Sequence, residues 1–163
     1  MGEKRVSLRH EGGMRFVAQT SSGHDVVIDN AGGNSGPRPT ELVLAAIAGC
    51  TSMDVAEIMT KKRQVFSGYR VEVSGVQREK APNVFTAITI VHIVEGDVET
   101  EAVRRSIELS ATKYCTVSAQ VASGVARLSH RYEIRRPAGA ANGPAEESGE
   151  VVVTGPLLAI PTD

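Results

Sequence analysis

Apolar and polar positions alternate along several short stretches of the chain, and this period of two predicts β-strands. Clusters of turn residues such as Gly12-Gly13 separate the first strands. The two stretches near the middle of the chain flank a polar turn, so we expect them to form a long hairpin. The predicted strands are at residues 5–8, 14–19, 25–29, 69–76, 85–95 and 125–135.

The longest apolar stretch predicts a helix rather than a strand, because three of its residues are alanines. Pro39 suits the first helical position and Glu41 suits the first turn. The apolar spacing then continues to the basic end at 61–63, which gives a helix of about 25 residues, or roughly 37 Å. Around Cys50 the helix is apolar on all sides, so we expect it to be central and buried, with Met53 and Met59 in the core.

Two shorter helices are predicted after the hairpin, one from a cap at Asp97 to about Lys113 and one over residues 116–123. Strands, a long helix, a hairpin, two helices and a last strand favour an α+β fold with antiparallel sheets. Beyond Pro137 the chain becomes rich in glycine and alanine, which is typical of a linker. We therefore predict one domain over residues 1–136. Residues 137–163 would form a linker and tail whose apolar part, 151–160, docks on the domain or on a partner.

Composition excludes several classes of function. Lys and Arg (18) nearly balance Asp and Glu (19), and a net charge of −1 provides no general attraction to nucleic acid or to an anionic membrane. The polar N-terminus lacks the apolar region of a secretory signal, and no charge-free run reaches the roughly 20 residues of a spanning helix. A cytoplasmic location is the resulting expectation, and cysteines there stay reduced unless they perform redox chemistry.

Cys50 and Cys115 are the only two cysteines, and each lies in a small, apolar segment. If folding brings them together, one sulfur can attack an oxidant and the other can resolve the product as a disulfide. A buried cysteine can also be a plain small apolar residue. Four histidines are scattered, and none is spaced from a cysteine as zinc ligands are, so we expect surface histidines and no metal site.

The segments around the two cysteines carry a family resemblance. Residues 36–55 read GPRPTELVLAAIAGCTSMDV and residues 113–118 read KYCTVS, and the second cysteine follows 65 residues after the first. Together they resemble the OsmC/Ohr family, the osmotically inducible and organic hydroperoxide resistance proteins, and look most like its OsmC-like branch. The resemblance covers roughly residues 1–135.

The resemblance implies an intertwined homodimer with two active sites at the subunit interface. It implies a thiol peroxidase without a bound cofactor, in which Cys50 attacks an organic hydroperoxide and Cys115 resolves it. An external dithiol, of the lipoyl type in better-studied members, would reduce the resulting disulfide. Apolar surroundings at Cys50 favour alkyl or lipid hydroperoxides over hydrogen peroxide.

A buried nucleophilic thiol needs a nearby cation, because burial in apolar surroundings raises its pKa. In the family an arginine held by a glutamate does this, and the matching candidates are Arg15, or else Arg38, and Glu41. Glu41 stands nine residues before Cys50, whereas the peroxidase branch has its glutamate ten before, where this chain has Thr40. Either candidate could instead be an ordinary surface residue.

Two further residues leave alternatives open. Cys115 is expected at the start of the short third helix, where the helix dipole would lower its pKa. If Cys115 is the more acidic thiol, the attacking and resolving roles of the two cysteines would be exchanged. Asp54 lies four residues after Cys50 on the same helix face, and it either hydrogen-bonds in the site or pairs with the backbone, with Lys61 or with a partner subunit.

Two other functions compete with the peroxidase. One is a non-catalytic dimer of the same fold that binds a lipid or another small apolar ligand. The other is a redox-sensing or structural partner protein that docks through residues 151–160.

Overall fold

The computed structural model describes residues 3–123 and 127–154, with the backbone alone at residues 127, 128 and 154. The chain divides into an N-terminal unit that ends at Val43 and a C-terminal unit that begins at Leu44.

The N-terminal unit contains an antiparallel meander of three strands. Strands β1 (Val6–His10), β2 (Phe16–Thr20) and β3 (Asp25–Ile28) pair in chain order. Between β1 and β2, Gly12 and Gly13 take φ values of 103° and 57°, which glycine adopts without the steric cost of a Cβ. The three predicted strands are confirmed, with boundaries that move by no more than two residues.

The C-terminal unit contains a four-stranded mixed sheet in the order β4-β5-β6-β7. The predicted hairpin is confirmed as antiparallel β4 (Gly68–Gln77) and β5 (Phe85–Glu95). Strand β6 (Arg127–Arg135) pairs parallel to β5, because the chain crosses over through helices before it returns to the sheet. The α+β fold class is confirmed, and the sheet departs from a purely antiparallel arrangement at this one pairing.

Three helices occur in the described chain: α1 (Pro39–Lys61), α2 (Thr100–Leu109) and α3 (Thr116–Ala122). A π-helical turn, Ser110–Tyr114, separates α2 from α3. Asp97 does not cap α2, which begins after Glu99. The Asp97 carboxylate instead accepts hydrogen bonds from the backbone N–H groups of Ala141 and Asn142, so it holds the loop that leads to the last strand.

Helix α1 is buried along one stripe and not on all sides. Its buried residues recur every four positions: Ile47, Thr51, Val55 and Met59. Met59 is a core residue as predicted, whereas Met53 is 74% exposed. The expectation of a helix buried all round is therefore wrong for a single chain, because one sheet can cover only one face of a helix.

The buried stripe of α1 packs into two apolar clusters of the C-terminal unit. One cluster forms where the stripe meets α2 and β6, and the other forms around the first half of β5. The clusters are Val55, Met59, Val94, Val98, Val103, Ile107, Tyr132 and Ile134, and Ile47, Ile88 and Ile90.

By length and composition alone, α1 is apolar enough to cross a bilayer, contrary to the sequence expectation. Core helices of water-soluble proteins meet the same criterion. The stripe from Ile47 to Met59 is buried among the protein's own side chains, and Asp54 and Glu57 lie within the helix. These features are typical of a core helix.

Residues that the sequence assigns to a linker and tail form the edge of the sheet. Strand β7 (Glu146–Thr154) pairs antiparallel with β6, beginning with Arg135 opposite Glu146. The apolar segment 151–160 lies in β7 up to residue 154, and its remainder lies outside the described residues. The first part of the predicted tail therefore contributes a strand to the C-terminal unit.

Arg136 links β7 to the loop before α2. Its side chain is fully buried and donates to the Val98 carbonyl from both Nε and Nη2, at 3.0 and 2.9 Å. It also donates to the Pro144 carbonyl, to Thr100 Oγ1 and to the Glu147 carboxylate, the last at 3.1 Å. A buried guanidinium is stable only when its N–H groups have acceptors and its positive charge has a negative partner. Arg136 meets both conditions.

Replacing Glu147 with Gln is expected to destabilise the fold by about 1–3 kcal/mol, because it removes the carboxylate that pairs with a buried cation. Hydrogen bonds from Thr100 and the charge of Arg136 hold the pKa of Glu147 below its usual value. That stabilisation is present above the unfolded-state pKa of about 4.3 and is lost as the pH falls through the lower folded-state pKa. Urea unfolding of wild type and variant at pH 7 and at pH 3 measures both effects.

The matched control is Glu146→Gln, since Glu146 is exposed and adjacent on the same strand. It should change stability by less than about 0.5 kcal/mol. Equal unfolding free energies for the two variants at pH 7 would contradict the structural role of the Arg136–Glu147 pair.

Candidate functional site

The fold brings the two cysteines together. The sulfur atoms of Cys50 and Cys115 and a carboxylate oxygen of Asp54 all lie within 4.8 Å of one another. Both cysteines are free thiols. A disulfide needs sulfur atoms about 2.05 Å apart, so the two sulfur atoms must approach each other before a bond can form.

Helix α1 supplies two of these three groups. Cys50 and Asp54 are four residues apart, so their side chains lie on the same helix face, beside the buried position Thr51. Both residues are half-buried, which leaves Cys50 accessible from one side. The i, i+4 spacing was visible in the sequence, and it is the signal that identified Asp54 as a neighbour of Cys50.

Cys115 is the N-cap of α3 and is 3% exposed. The π-helical turn ends directly before it, and its own backbone is extended, with φ −69° and ψ 97°. Its sulfur accepts a hydrogen bond from the Ser118 N–H at 3.3 Å, and its thiol donates to Ser118 Oγ at 3.0 Å. The structure thus confirms that Cys115 heads the third helix, while Ser118 is a partner that the sequence analysis missed.

Burial dominates the acidity of Cys115. Removal from water and the adjacent Cys50 thiol raise the pKa of Cys115 to about 11, and the opposing hydrogen bonds from Ser118 are weaker. The expectation that the helix end makes this thiol acidic is wrong, because α3 has only seven residues and the sulfur is almost fully enclosed. The pKa of Cys115 therefore gives no support to the alternative in which Cys115 attacks the peroxide and Cys50 resolves the product.

A chain of hydrogen bonds orients Asp54. Ser110 Oγ donates to Asp54 Oδ2 at 2.9 Å and lies 3.0 Å from Thr51 Oγ1. Thr51 and Ser110 are both fully buried, so these hydroxyl groups have few other ways to satisfy their hydrogen bonds. Sequence reasoning missed Ser110, because 56 residues separate it from Asp54 and nothing local in the sequence marks it.

A second buried polar group lies in the sheet. The Tyr69 hydroxyl is 2.7 Å from His92 Nδ1, and the His92 ring stacks on Tyr69 on one side and on His130 on the other. His92 and His130 are fully buried on β5 and β6, so the prediction of surface histidines is wrong for these two. Burial raises the pKa of Tyr69, and the negative charge of Asp54 adds to this effect.

Comparisons with known proteins identify the family. The family model described as OsmC-like protein matches residues 32–127, a stretch that includes both cysteines. This chain belongs to the OsmC-like family. It is 38% identical to Protein YhfA of Escherichia coli K12 over 123 residues, which cover 75% of this chain and 91% of YhfA.

Solved structures agree with this assignment. A hypothetical protein from Aquifex aeolicus VF5 is 31% identical and superposes with a TM-score of 0.77 over 84% of this chain and 99% of that one. The organic hydroperoxide resistance protein OhrB of Bacillus subtilis superposes with a TM-score of 0.54 at 18% identity, over 83% and 98% of the two chains. At that identity the likeness to OhrB concerns the fold alone.

In this OsmC-like chain the predicted activating residues lie in the N-terminal unit. Arg15 pairs with Glu11 at 3.2 Å and donates to Ser35 Oγ at 2.8 Å. Glu41 accepts from both the backbone N–H and the side chain of Arg38, so it closes the start of α1 as a capping residue. Their predicted action on Cys50 stays a prediction.

The buried histidines predict a pH dependence of stability. Burial lowers the pKa of His92 to about 3, with a smaller effect from His130, and lowers that of His130 to about 4. Because these values are below the unfolded value of about 6.5, stability is complete above pH 6.5 and decreases as the pH falls towards 4. His130→Leu should retain most of the stability at pH 8 and remove part of this decrease, on the order of 3 kcal/mol.

Thermal unfolding between pH 8 and pH 4 measures the effect. His24→Gln is the control, since His24 is exposed and should leave the pH profile unchanged. Parallel profiles for wild type and His130→Leu would show that His130 does not stay neutral in the folded state.

Proposed function

We propose that this OsmC-like protein is a cytoplasmic thiol peroxidase that reduces organic hydroperoxides as part of oxidative stress defence. The convergence of Cys50 and Cys115 carries the proposal. A half-buried thiol beside a fully enclosed one suits a division into attacking and resolving sulfurs. The resemblance of the two cysteine segments to the OsmC/Ohr family supports the same chemistry, and the fold is shared with an organic hydroperoxide resistance protein.

The proposed cycle needs no bound cofactor. The Cys50 thiolate attacks the O–O bond, takes one oxygen as a sulfenic acid and releases the alkoxide, which leaves as the alcohol after it accepts a proton. The Cys115 sulfur then displaces water from the sulfenic acid and forms the Cys50–Cys115 disulfide. An external dithiol of the lipoyl type reduces this disulfide by exchange and becomes a disulfide itself.

Charge sets the rate of the first step. Asp54 lies within 4.8 Å of both sulfurs, and a carboxylate at that distance disfavours a thiolate. A cation is therefore needed at Cys50, and Arg15 remains the proposed source, with Glu41 as its proposed partner in the active form. In the single chain Arg15 pairs with Glu11, and Glu41 accepts from Arg38. Burial raises the pKa of Cys115, so its thiol stays protonated at neutral pH in the resting protein.

We further propose that the active form is a homodimer. The face of α1 opposite the buried stripe includes alanines at 45 and 46 and Met53, all exposed in the single chain. Apolar residues on one face of a long helix usually pack against another protein surface. A second copy of the same chain is the partner that the family resemblance implies.

A second function is supported by a separate observation. The N-terminal unit contains an apolar cleft of about 480 Å³. Its lining includes Leu8, Met14, Phe16, Ile28 and Pro39. A small apolar ligand would fit such a cleft, and a protein that binds one without turnover is the alternative to the peroxidase.

Turnover of cumene hydroperoxide with dihydrolipoamide distinguishes the two functions. The proposal predicts steady consumption by wild type, with roughly a hundredfold loss in Cys50→Ser, because the remaining thiol of Cys115 is only 3% exposed and its pKa is raised. Cys115→Ser should consume one equivalent of peroxide per chain and then stop, with a sulfenic acid that dimedone traps. Consumption is followed by a peroxide assay, and trapping by mass spectrometry.

Glu57→Gln serves as the control, since Glu57 is exposed on the same helix and should leave turnover unchanged. Arg15→Met should slow the attack by Cys50 without changing the fold. Absent turnover in wild type, or equal rates in wild type and Cys50→Ser, would favour the ligand-binding function.

The proposed dimer is tested by changing Met53. Met53→Asp places a charge on the exposed apolar face of α1, and burial of that charge in an interface would cost several kcal/mol. Light scattering after gel filtration should report a dimer for wild type and a monomer for Met53→Asp. A monomeric wild type, or a variant that still forms dimers at micromolar concentration, would refute an interface on this face.

A further inference from the structure

The two thiols and the carboxylate form a set of metal ligands as well as a redox pair. We propose that the reduced protein binds one Zn²⁺ per chain through Cys50 Sγ, Cys115 Sγ and a carboxylate oxygen of Asp54, with the fourth coordination position open to solvent. The sequence expectation of no metal site considered only cysteine and histidine ligands. The carboxylate that completes the set becomes visible only when the three groups are seen together.

The distances suit a tetrahedral ion. Zn–S bonds of about 2.3 Å and Zn–O bonds of about 2.0–2.2 Å separate neighbouring ligand atoms by roughly 3.4–3.8 Å. The three ligand atoms lie within 4.8 Å of one another, so each pair needs to close by no more than about 1.4 Å. Side-chain rotation can supply such a movement, because Cys50 and Asp54 are only half-buried.

The ligands are held by regular structure. Cys50 and Asp54 occupy i, i+4 positions on one face of α1, the spacing by which helices commonly present two ligands to one ion. Cys115 comes from the N-cap of α3 and approaches from a different element. Two ligands from one long helix and one from another would fix the ion against the protein.

Hydrogen bonds around the ligands orient them as in known metal sites. Ser110 Oγ donates to Oδ2 of Asp54, which leaves Oδ1 without a described hydrogen bond and available to an ion. The Ser118 N–H donates to Cys115 Sγ, and such a bond stabilises a thiolate. Ser110 and Ser118 would therefore act as positioning residues for the metal.

Charge favours a cation at this place. Two thiolates and a carboxylate within 4.8 Å would repel one another strongly without a positive charge between them. A divalent ion supplies the missing charge: it binds both sulfurs as thiolates and releases two protons to solvent, with no change in oxidation state.

Zinc and the disulfide exclude each other, because each uses both sulfur atoms. The metal-bound form would be protected from peroxide, and oxidation would release the ion. This inference rests on the geometry of the reduced thiols and holds whether or not the protein is a peroxidase.

The direct test titrates the full chain, reduced and free of metal, with Co²⁺ as a spectroscopic substitute for Zn²⁺. We expect a near-ultraviolet thiolate-to-cobalt charge-transfer band and the visible bands of a tetrahedral ion, saturating at one equivalent per chain and lost on addition of Zn²⁺. Two protons should be released per ion, measured in weakly buffered solution. One equivalent of Zn²⁺ should protect both thiols from alkylation by iodoacetamide, and Mg²⁺ should protect neither.

Variants assign the ligands. Cys50→Ser and Cys115→Ser should each weaken the charge-transfer band. Ser110→Ala should lower the affinity for Zn²⁺ by about 10- to 100-fold, and Asp54→Asn should lower it more. Glu57→Gln is the control, an exposed carboxylate on the same helix that should leave the affinity unchanged. Circular dichroism of each metal-free variant establishes that it is folded. Proton release is measured on wild type, so it tests the proposal even if a variant fails to fold.

Three outcomes would overturn the proposal. One is a titration in which Co²⁺ produces no charge-transfer band at stoichiometric concentration. Another is equal affinity of the oxidised and reduced proteins. The third is equal affinity of folded Asp54→Asn and Glu57→Gln, since this would exclude the Asp54 carboxylate as a ligand.

Discussion

The burial of one face of α1 against the C-terminal sheet and α2 determines where every group of the site lies. Ile47, Thr51, Val55 and Met59 form that face, and each is fully buried. The buried residues of this face are four positions apart along the helix. Cys50 and Asp54 directly precede Thr51 and Val55, so they are also four positions apart and lie beside the buried face. The packing of apolar residues thus places a thiol and a carboxylate at the boundary between the core and solvent.

The electrostatics of this boundary are unusual for a site built on a nucleophilic thiol. Burial raises the pKa of Cys115, and the third group that reaches the sulfurs is an acid, Asp54. A peroxidase and a metal site resolve this in different ways, by a cation from an arginine or by a cation from solution. Both require positive charge at the same point, so the negative charge of Asp54 is the common constraint on what the site can do.

Some properties follow from local sequence. The spacing of apolar residues, Pro39 at the first helical position and the basic end at Lys61 determine α1 to within two residues. Alternation determines the strands, and Asp54 could be placed beside Cys50 because helical geometry relates residues four apart. The two cysteine segments also indicated the family, which the comparisons confirm.

Other properties depend on contacts between residues far apart in the chain, which no local pattern encodes. His92 and His130 are fully buried on the paired strands β5 and β6, although surface histidines were expected from the sequence. Strand β7 pairs with β6, and the buried side chain of Arg136 also contacts Glu147 on it. The glycine-rich segment before β7 gave no signal of a strand.

By itself, the sequence determined the elements up to β6, the fold class and the two candidate redox thiols, since these depend on neighbours within a few residues. Only the tertiary structure decided that Cys50, Cys115 and Asp54 converge and that Ser110 orients the acid. The tertiary structure also decided that burial, which raises the pKa of the Cys115 thiol, has a larger effect than the position of this residue at the start of α3. The reason is that these groups are 56 or more residues apart in the chain. They come together, and are removed from water, only when the helices pack on the sheet.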